Sequence, residues 1–155
     1  ESRRVLFRSI LGYDEHYVGS DAGSVASLPW VEQGVQDTIA EVTPERTILA
    51  IPFYTRLWKT TGGAVTSEAI GMDEAQNVLS TNGVEAVWDG SVGQNYATFE
   101  QDNSTYQIWL EDAQSIAEKV KLIQKYNLAG VAQWKLGFEN SSIWQTISDN
   151  LQAAS

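Results

Sequence analysis

Gly12-Tyr13-Asp14-Glu15-His16-Tyr17 reads as the end of a buried strand that displays polar groups at its tip. Two other stretches repeat this grammar: Ile48-Leu49-Ala50-Ile51-Pro52-Phe53-Tyr54-Thr55-Arg56 and Gly130-Val131-Ala132-Gln133-Trp134-Lys135-Leu136. Each is a short apolar run that ends in an aromatic and a polar or charged residue. Strands of a parallel sheet are buried on both faces and read as near-continuous apolar runs of this kind. In an α/β barrel the chemistry sits at the C-terminal ends of such strands. The three stretches therefore predict parallel strands with site-forming tips.

Working outward, Ser27-Leu28-Pro29 is a helix-start signal. Val31, Val35, Ile39 and Val42 follow at helical spacing, so the pattern predicts an amphipathic helix over 28–42, stopped by Pro44. A strand over 47–53 completes a strand–helix–strand unit, which favours parallel pairing. Residues from about 57 to 111 break the rhythm. A short helix over 73–81, closed by Asn82-Gly83 as a left-handed cap, precedes period-two alternations at 85–88, 95–100 and 106–110. These predict a small antiparallel α+β piece inserted after the second strand. The α/β rhythm then resumes. Ser115-x-x-Glu118 resembles a capping box, and Ile116, Val120, Ile123 and Tyr126 share a helix face. A last helix is capped at Asn140-Ser141-Ser142, with Ile143, Trp144, Ile147 and Leu151 as its expected buried stripe. The fold class read from this pattern is α/β, a partial (β/α)8 barrel of three strand–helix units with an α+β insertion. A complete barrel of this type needs roughly 250 residues.

Composition limits the function. With a net charge of -10 the chain is a poor partner for a nucleic-acid backbone, which requires a basic face. It has no cysteine, and His16 is its only histidine. Thiolate chemistry and multi-histidine metal sites are excluded, and no metal or cofactor is expected. No stretch is long and apolar enough to cross a membrane. Residues 1–9 hold three of the ten basic residues, fit neither strand nor signal-peptide patterns, and are expected to be a scar or upstream remnant.

The ordered motifs resemble glycoside hydrolase family 18, and in particular bacterial spore-germination and cortex-lytic N-acetylglucosaminidases. Tyr13-Asp14-Glu15-His16-Tyr17 with Val25-Ala26-Ser27-Leu28-Pro29-Trp30 is similar to that family's sixth strand and helix. Ile51-Pro52-Phe53-Tyr54-Thr55-Arg56-Leu57-Trp58 resembles the seventh strand, and Ala129-Gly130-Val131-Ala132-Gln133-Trp134 the eighth. The resemblance divides the chain into barrel strands six and seven at 10–58, the α+β insertion at 59–110, and the last helix–strand–helix at 111–155. It implies that Tyr13 holds the N-acetyl carbonyl of the sugar and that Asp14 is its partner. It places Arg56, Tyr54 and Trp58 at the substrate cleft, with Trp134 as the floor beneath the sugar. The family's Asp-x-x-Asp-x-Asp-x-Glu run, whose glutamate protonates the leaving oxygen, is not found in these 155 residues. Leu11 stands where relatives usually carry methionine.

The implied function is cleavage of β-1,4 linkages in an N-acetylglucosamine-containing polysaccharide, chitin or peptidoglycan. The implied setting is extracellular, at a bacterial cell wall or spore. This chain alone is expected to be inactive. The alternatives are a carbohydrate-binding, lectin-like module and an inactive folding fragment that self-associates through open strand edges. From spacing alone Trp134 reads as core, Glu111-Asp112 as a helix start, and His16 as an ordinary loop histidine. Trp30, Trp58, Trp88, Trp109 and Trp144 read mainly as packing, with Trp58 and Trp88 as candidate stacking platforms at the cleft rim.

Overall fold

The structure, a computed structural model, describes residues 6–152. The chain enters through strand β1 (Arg8–Leu11) and reaches helix α1 (Leu28–Ile39) by a long loop. Pro29 sits in the first helical turn, while Val31 and Val35 are the helix's buried residues. The helix stops at Ile39 instead of continuing to Val42, and a 3-10 turn at Pro44–Arg46 leads into β2 (Thr47–Pro52). An antiparallel hairpin follows, β3 (Tyr54–Thr61) and β4 (Ala64–Gly71), and then α2 (Met72–Asn82). Gly83 caps α2 with φ of 62°, the left-handed geometry expected of Asn82-Gly83. Three more strands, β5 (Val87–Asp89), β6 (Gln94–Gln101) and β7 (Ser104–Trp109), precede α3 (Ala113–Lys125), β8 (Gly130–Trp134) and α4 (Ile143–Gln152).

Two sheets result. The first is parallel, in the order β1-β2-β8; the second has the order β4-β3-β7-β6-β5, with all its pairings antiparallel. Leu49, Ile51 and Phe53 on the parallel side pack with Val31, Val35, Ile116, Val120, Ile143 and Ile147 from three helices. A second apolar cluster (Ile70, Ala75, Leu79, Ala97, Ile108 and Leu110) seats α2 on the antiparallel sheet. Each of the Val, Leu, Ile and Phe side chains among them, fully buried, contributes about 1.5–3 kcal/mol.

Several boundaries differ from the sequence expectation. Arg8 and Ser9 pair with Thr47 and Ile48. The parallel sheet therefore begins before Ile10, and part of the 1–9 stretch belongs to the fold. Residues 1–5 of that stretch, and 153–155 at the other end, lie outside the described residues. The antiparallel sheet begins at Tyr54, so residues 54–58 belong to it and not to the parallel strand. The cause is the break at Phe53, whose N–H bonds the Trp134 carbonyl (2.7 Å) before the chain crosses to the other sheet. The capping box at α3 lies three residues earlier than predicted: Asp112 accepts from the Ser115 backbone, and the Ser115 hydroxyl accepts from the Asp112 N–H. On α4, Ile143 and Ile147 are buried but Trp144 and Leu151 are not.

Candidate functional site

Parallel register lines up the three strand tips. Leu11 pairs with Ala50, and the Gly12 N–H carries the ladder on to the Ala50 carbonyl (2.8 Å). Pro52 pairs with Trp134 on the other side. Tyr13-Asp14, the Phe53-Tyr54 crossing and Trp134 therefore emerge together at one edge of the sheet. The Tyr13 ring lies 6.2 Å from Tyr54, edge-on, and 6.5 Å from Trp134 in a stacked arrangement. Trp134 is 53% exposed, so one indole face is available to a ligand. Asp14, Tyr54, Arg56, Ala69, Trp134 and Phe138 line a recess of about 220 Å³ at this edge.

Asp14 has φ of 66°, in the left-handed region where aspartate is among the enriched non-glycine residues. Its carboxylate accepts a hydrogen bond from the Tyr54 hydroxyl. Burial, reinforced by that bond and by the Asp14 charge, pushes the Tyr54 phenol far above its ordinary value of 10.0. Burial and then the Asp14 charge push Tyr13 upward as well. Both phenols are thus held as neutral donors. Arg56 donates from Nη1 to Ser67 Oγ (3.0 Å), while its buried Nε has no partner among the described residues. The Tyr13 phenol, the Asp14 carboxylate already bonded by Tyr54, the Arg56 guanidinium and the half-exposed Trp134 ring thus stand around one recess.

The loop that carries Asp14 is fixed from behind. Glu15 accepts from the Ser27 N–H (2.7 Å) and from its hydroxyl (3.0 Å), tying the tip of β1 to the start of α1. His16 Nδ1 donates to the Ser24 carbonyl (2.8 Å), so it serves the loop, not an acid–base pair. The Trp58 indole donates to the Gly23 carbonyl (2.9 Å). Trp58 is only 1% exposed, which corrects its expected place among the substrate-binding residues: its ring is buried, with its N–H on the Gly23 carbonyl, and cannot meet a sugar. Glu111, also buried, receives Lys119 Nζ at 2.9 and 3.1 Å, Gln94 Nε2 at 2.8 Å and Ser115 Oγ at 2.8 Å. Burial pushes its carboxyl above the usual range against the pull of Lys119.

Structure thus brings Tyr13, Asp14, Tyr54, Arg56 and Trp134 together and removes Trp58. It adds Phe138, which sequence reasoning missed. Phe138 stands 6.4 Å from the Tyr54 ring and follows the strand tip closely enough that Trp134-x-x-x-Phe138 could have flagged it.

Residues 4–139 match the family described as Glycosyl hydrolases family 18. An uncharacterized glycosylase, YvbX, of Bacillus subtilis (strain 168) is 25% identical over 91% of this chain and 41% of its own length. The cortical fragment-lytic enzyme of the same organism is 24% identical over 94% of this chain and 34% of its own length. This chain therefore spans well under half the length of these curated relatives. Among solved structures, a chitinase from Chromobacterium violaceum superposes with a TM-score of 0.87 at 24% identity, covering 94% of this chain and 45% of that one.

Proposed function

Starting from the fact that this chain belongs to glycosyl hydrolases family 18, we propose that it forms the sugar-binding half of a glycosidase site for N-acetylglucosamine polymers. The observation that carries this is the recess itself, which sets Asp14, Tyr54 and Arg56 against the open face of Trp134. In this reading the three parallel strands are the last three of a (β/α)8 barrel, and the antiparallel sheet is its insertion. The linkage cleaved is β-1,4, in peptidoglycan or chitin.

The chemistry follows from the groups present. An N-acetyl sugar sits with its apolar ring face on Trp134, whose burial against it is worth a few kcal/mol. Tyr13 donates to the acetamide carbonyl and holds that oxygen toward the anomeric carbon, so the substrate supplies its own nucleophile in place of a second carboxylate. Asp14 receives the acetamide N–H side, and its charge stabilises the positive charge that grows there. Arg56 donates to the neighbouring sugar. Protonation of the leaving oxygen requires an acid such as the glutamate of the Asp-x-x-Asp-x-Asp-x-Glu run, which these 155 residues do not contain. The relatives with cortical names favour a cell-wall or spore setting outside the cytoplasm. Among the described residues no helix is long and apolar enough to cross a membrane. The two outer strands of the parallel sheet, β1 and β8, have unpaired edges among the described residues, which favours self-association of the isolated chain.

Calorimetric titration with chitotriose and with cellotriose, which lacks N-acetyl groups, tests the reading. Chitotriose should bind and cellotriose should not, and Trp134→Ala should weaken chitotriose binding about tenfold or more without unfolding the chain. Equal affinity for both sugars, or no loss in Trp134→Ala, overturns it. Turnover of chitotetraose should be absent; turnover abolished by replacing one of this chain's own acids would show that the catalytic acid lies within it.

A further inference from the structure

Two attachments hold the turn that follows β8. At its start the Trp134 carbonyl accepts from the Phe53 N–H (2.7 Å). Lys135 to Phe138 then form a tight turn in which the Phe138 N–H bonds the Lys135 carbonyl (3.2 Å), with Gly137 at φ of 95°. At its end the Phe138 carbonyl accepts from the Met72 N–H (2.8 Å), at the start of α2 on the antiparallel side. That second attachment needs room. A Cβ on Gly71 would lie 2.9 Å from the Phe138 carbonyl oxygen, 3.0 Å from its Cα and 3.2 Å from its ring. The nearest two are backbone atoms, which cannot swing away as a flexible side chain can.

Gly71 is also the register partner of Tyr54. Phe138 therefore sits against the Tyr54–Gly71 pair, with its ring 6.4 Å from Tyr54 and Lys135 Nζ over the ring at 4.7 Å from the centroid. The same short turn carries Trp134 at one end and is docked at Gly71 at the other. Trp134 is half exposed, and Tyr13 stacks on its ring at 6.5 Å, so the turn at Phe138 is the second feature that sets the indole's place.

We infer that Gly71 is a positioning residue for Trp134: by admitting Phe138 onto the antiparallel sheet, it sets the spacing between the indole floor and the Asp14–Tyr54 pair. Gly71 offers no side chain to a ligand and acts only through the turn. This assignment rests on the sugar-floor reading of Trp134, and its test separates the two.

In a nitrogen–proton correlation spectrum, the indole signals of Trp134 and Trp58 are identified by single Trp→Phe replacements. Trp58, buried with its N–H on Gly23, reports whether the sheet is intact. Gly71→Ala should move the Trp134 indole signal, leave that of Trp58 in place, and weaken chitotriose binding at least fivefold. Phe138→Leu, which leaves the backbone of the sheet untouched, should move the Trp134 signal in the same direction and carries the test should Gly71→Ala fail to fold. Gly34→Ala, on a helix face with nothing within 4 Å of the added methyl, should change neither signal nor affinity. An unmoved Trp134 signal in the folded variants overturns the inference. If the signal moves but the parent chain binds no chitotriose, the positioning role stands and the sugar-floor reading fails.

Discussion

Asp14 depends for its orientation on a hydroxyl from the other sheet, and that dependence is measurable. Tyr54→Phe keeps the ring against Tyr13 and Phe138 and removes only the donor to the carboxylate. Chitotriose affinity should fall about tenfold by calorimetry, the scale of one hydrogen bond to a charged group. The same variant has a pH signature. In the folded chain the Tyr54 phenol stays protonated well above 10.0, because burial and Asp14 disfavour the phenolate. In the unfolded chain it ionises at about pH 10. Its contribution is therefore complete below that pH and declines as pH rises further, since only the unfolded chain gains by releasing the proton. Unfolding midpoints measured from about pH 9 upward should drop less steeply in Tyr54→Phe; identical slopes would refute the assignment. The end of an apolar run flags Tyr13-Asp14 as a strand tip, whereas Trp134 reads as core by spacing and becomes a site candidate only through the family resemblance. Trp58, buried, agrees with its reading as packing and not with the cleft role that the resemblance implies. Alternation puts it on the same face as Tyr54 and Arg56, but two residues along a strand is about 6–7 Å, far enough to bury it with its N–H on the Gly23 carbonyl.

Among the elements, the hairpin of β3 and β4 shows why the antiparallel region was only half legible. Gly62-Gly63 joins Thr61 to Ala64 as a two-residue turn with φ of 56° and 85°, the geometry that two-residue hairpins favour. That signal was present, and the pattern ends the parallel strand at Phe53, but the family resemblance carries the seventh strand on through Trp58. Nothing in local pattern marks the change of sheet at Phe53, which is a tertiary event made by Trp134. Helix α3 carries the converse lesson. Its buried stripe was readable from period alone, but the cap template read from the sequence, Ser115 to Glu118, lies three residues past the Asp112 to Ser115 box that starts the helix. Asp112→Ala should therefore cost about 1 kcal/mol in urea unfolding, within the usual range for a lost N-cap. Glu118→Ala, whose carboxylate pairs only with exposed Lys121, should lie within about 0.5 kcal/mol of the parent. A larger cost at Glu118 than at Asp112 would reverse the cap assignment.

For the whole molecule, one of the links between the two sheets is polar, and polarity is what a hydrophobic pattern cannot reveal. Glu111 follows the last antiparallel strand, Lys119 belongs to α3, Gln94 to β6, and Ser24 to the loop behind Asp14. Ser24 donates to Gln94, which donates to Glu111, so one buried chain of bonds runs from the parallel side through the insertion to the helix. In the sequence Glu111-Asp112 looked like a pair of acids at a helix start; only Asp112 is that. A buried pair broken on one side leaves an uncompensated charge, at a cost of about 3–5 kcal/mol. Glu111→Leu should pay this in full, because it leaves Lys119 without its counter-charge in the core. Lys119→Met should cost less, because burial already pushes Glu111 toward the protonated form and the acid can neutralise itself. The double variant Glu111→Leu, Lys119→Met should recover part of the loss but stay below the parent, since Gln94 Nε2 and Ser115 Oγ are left without their acceptor. Urea unfolding of the four proteins measures the coupling, and simple additivity of the two single losses would show that the network does not act as a unit.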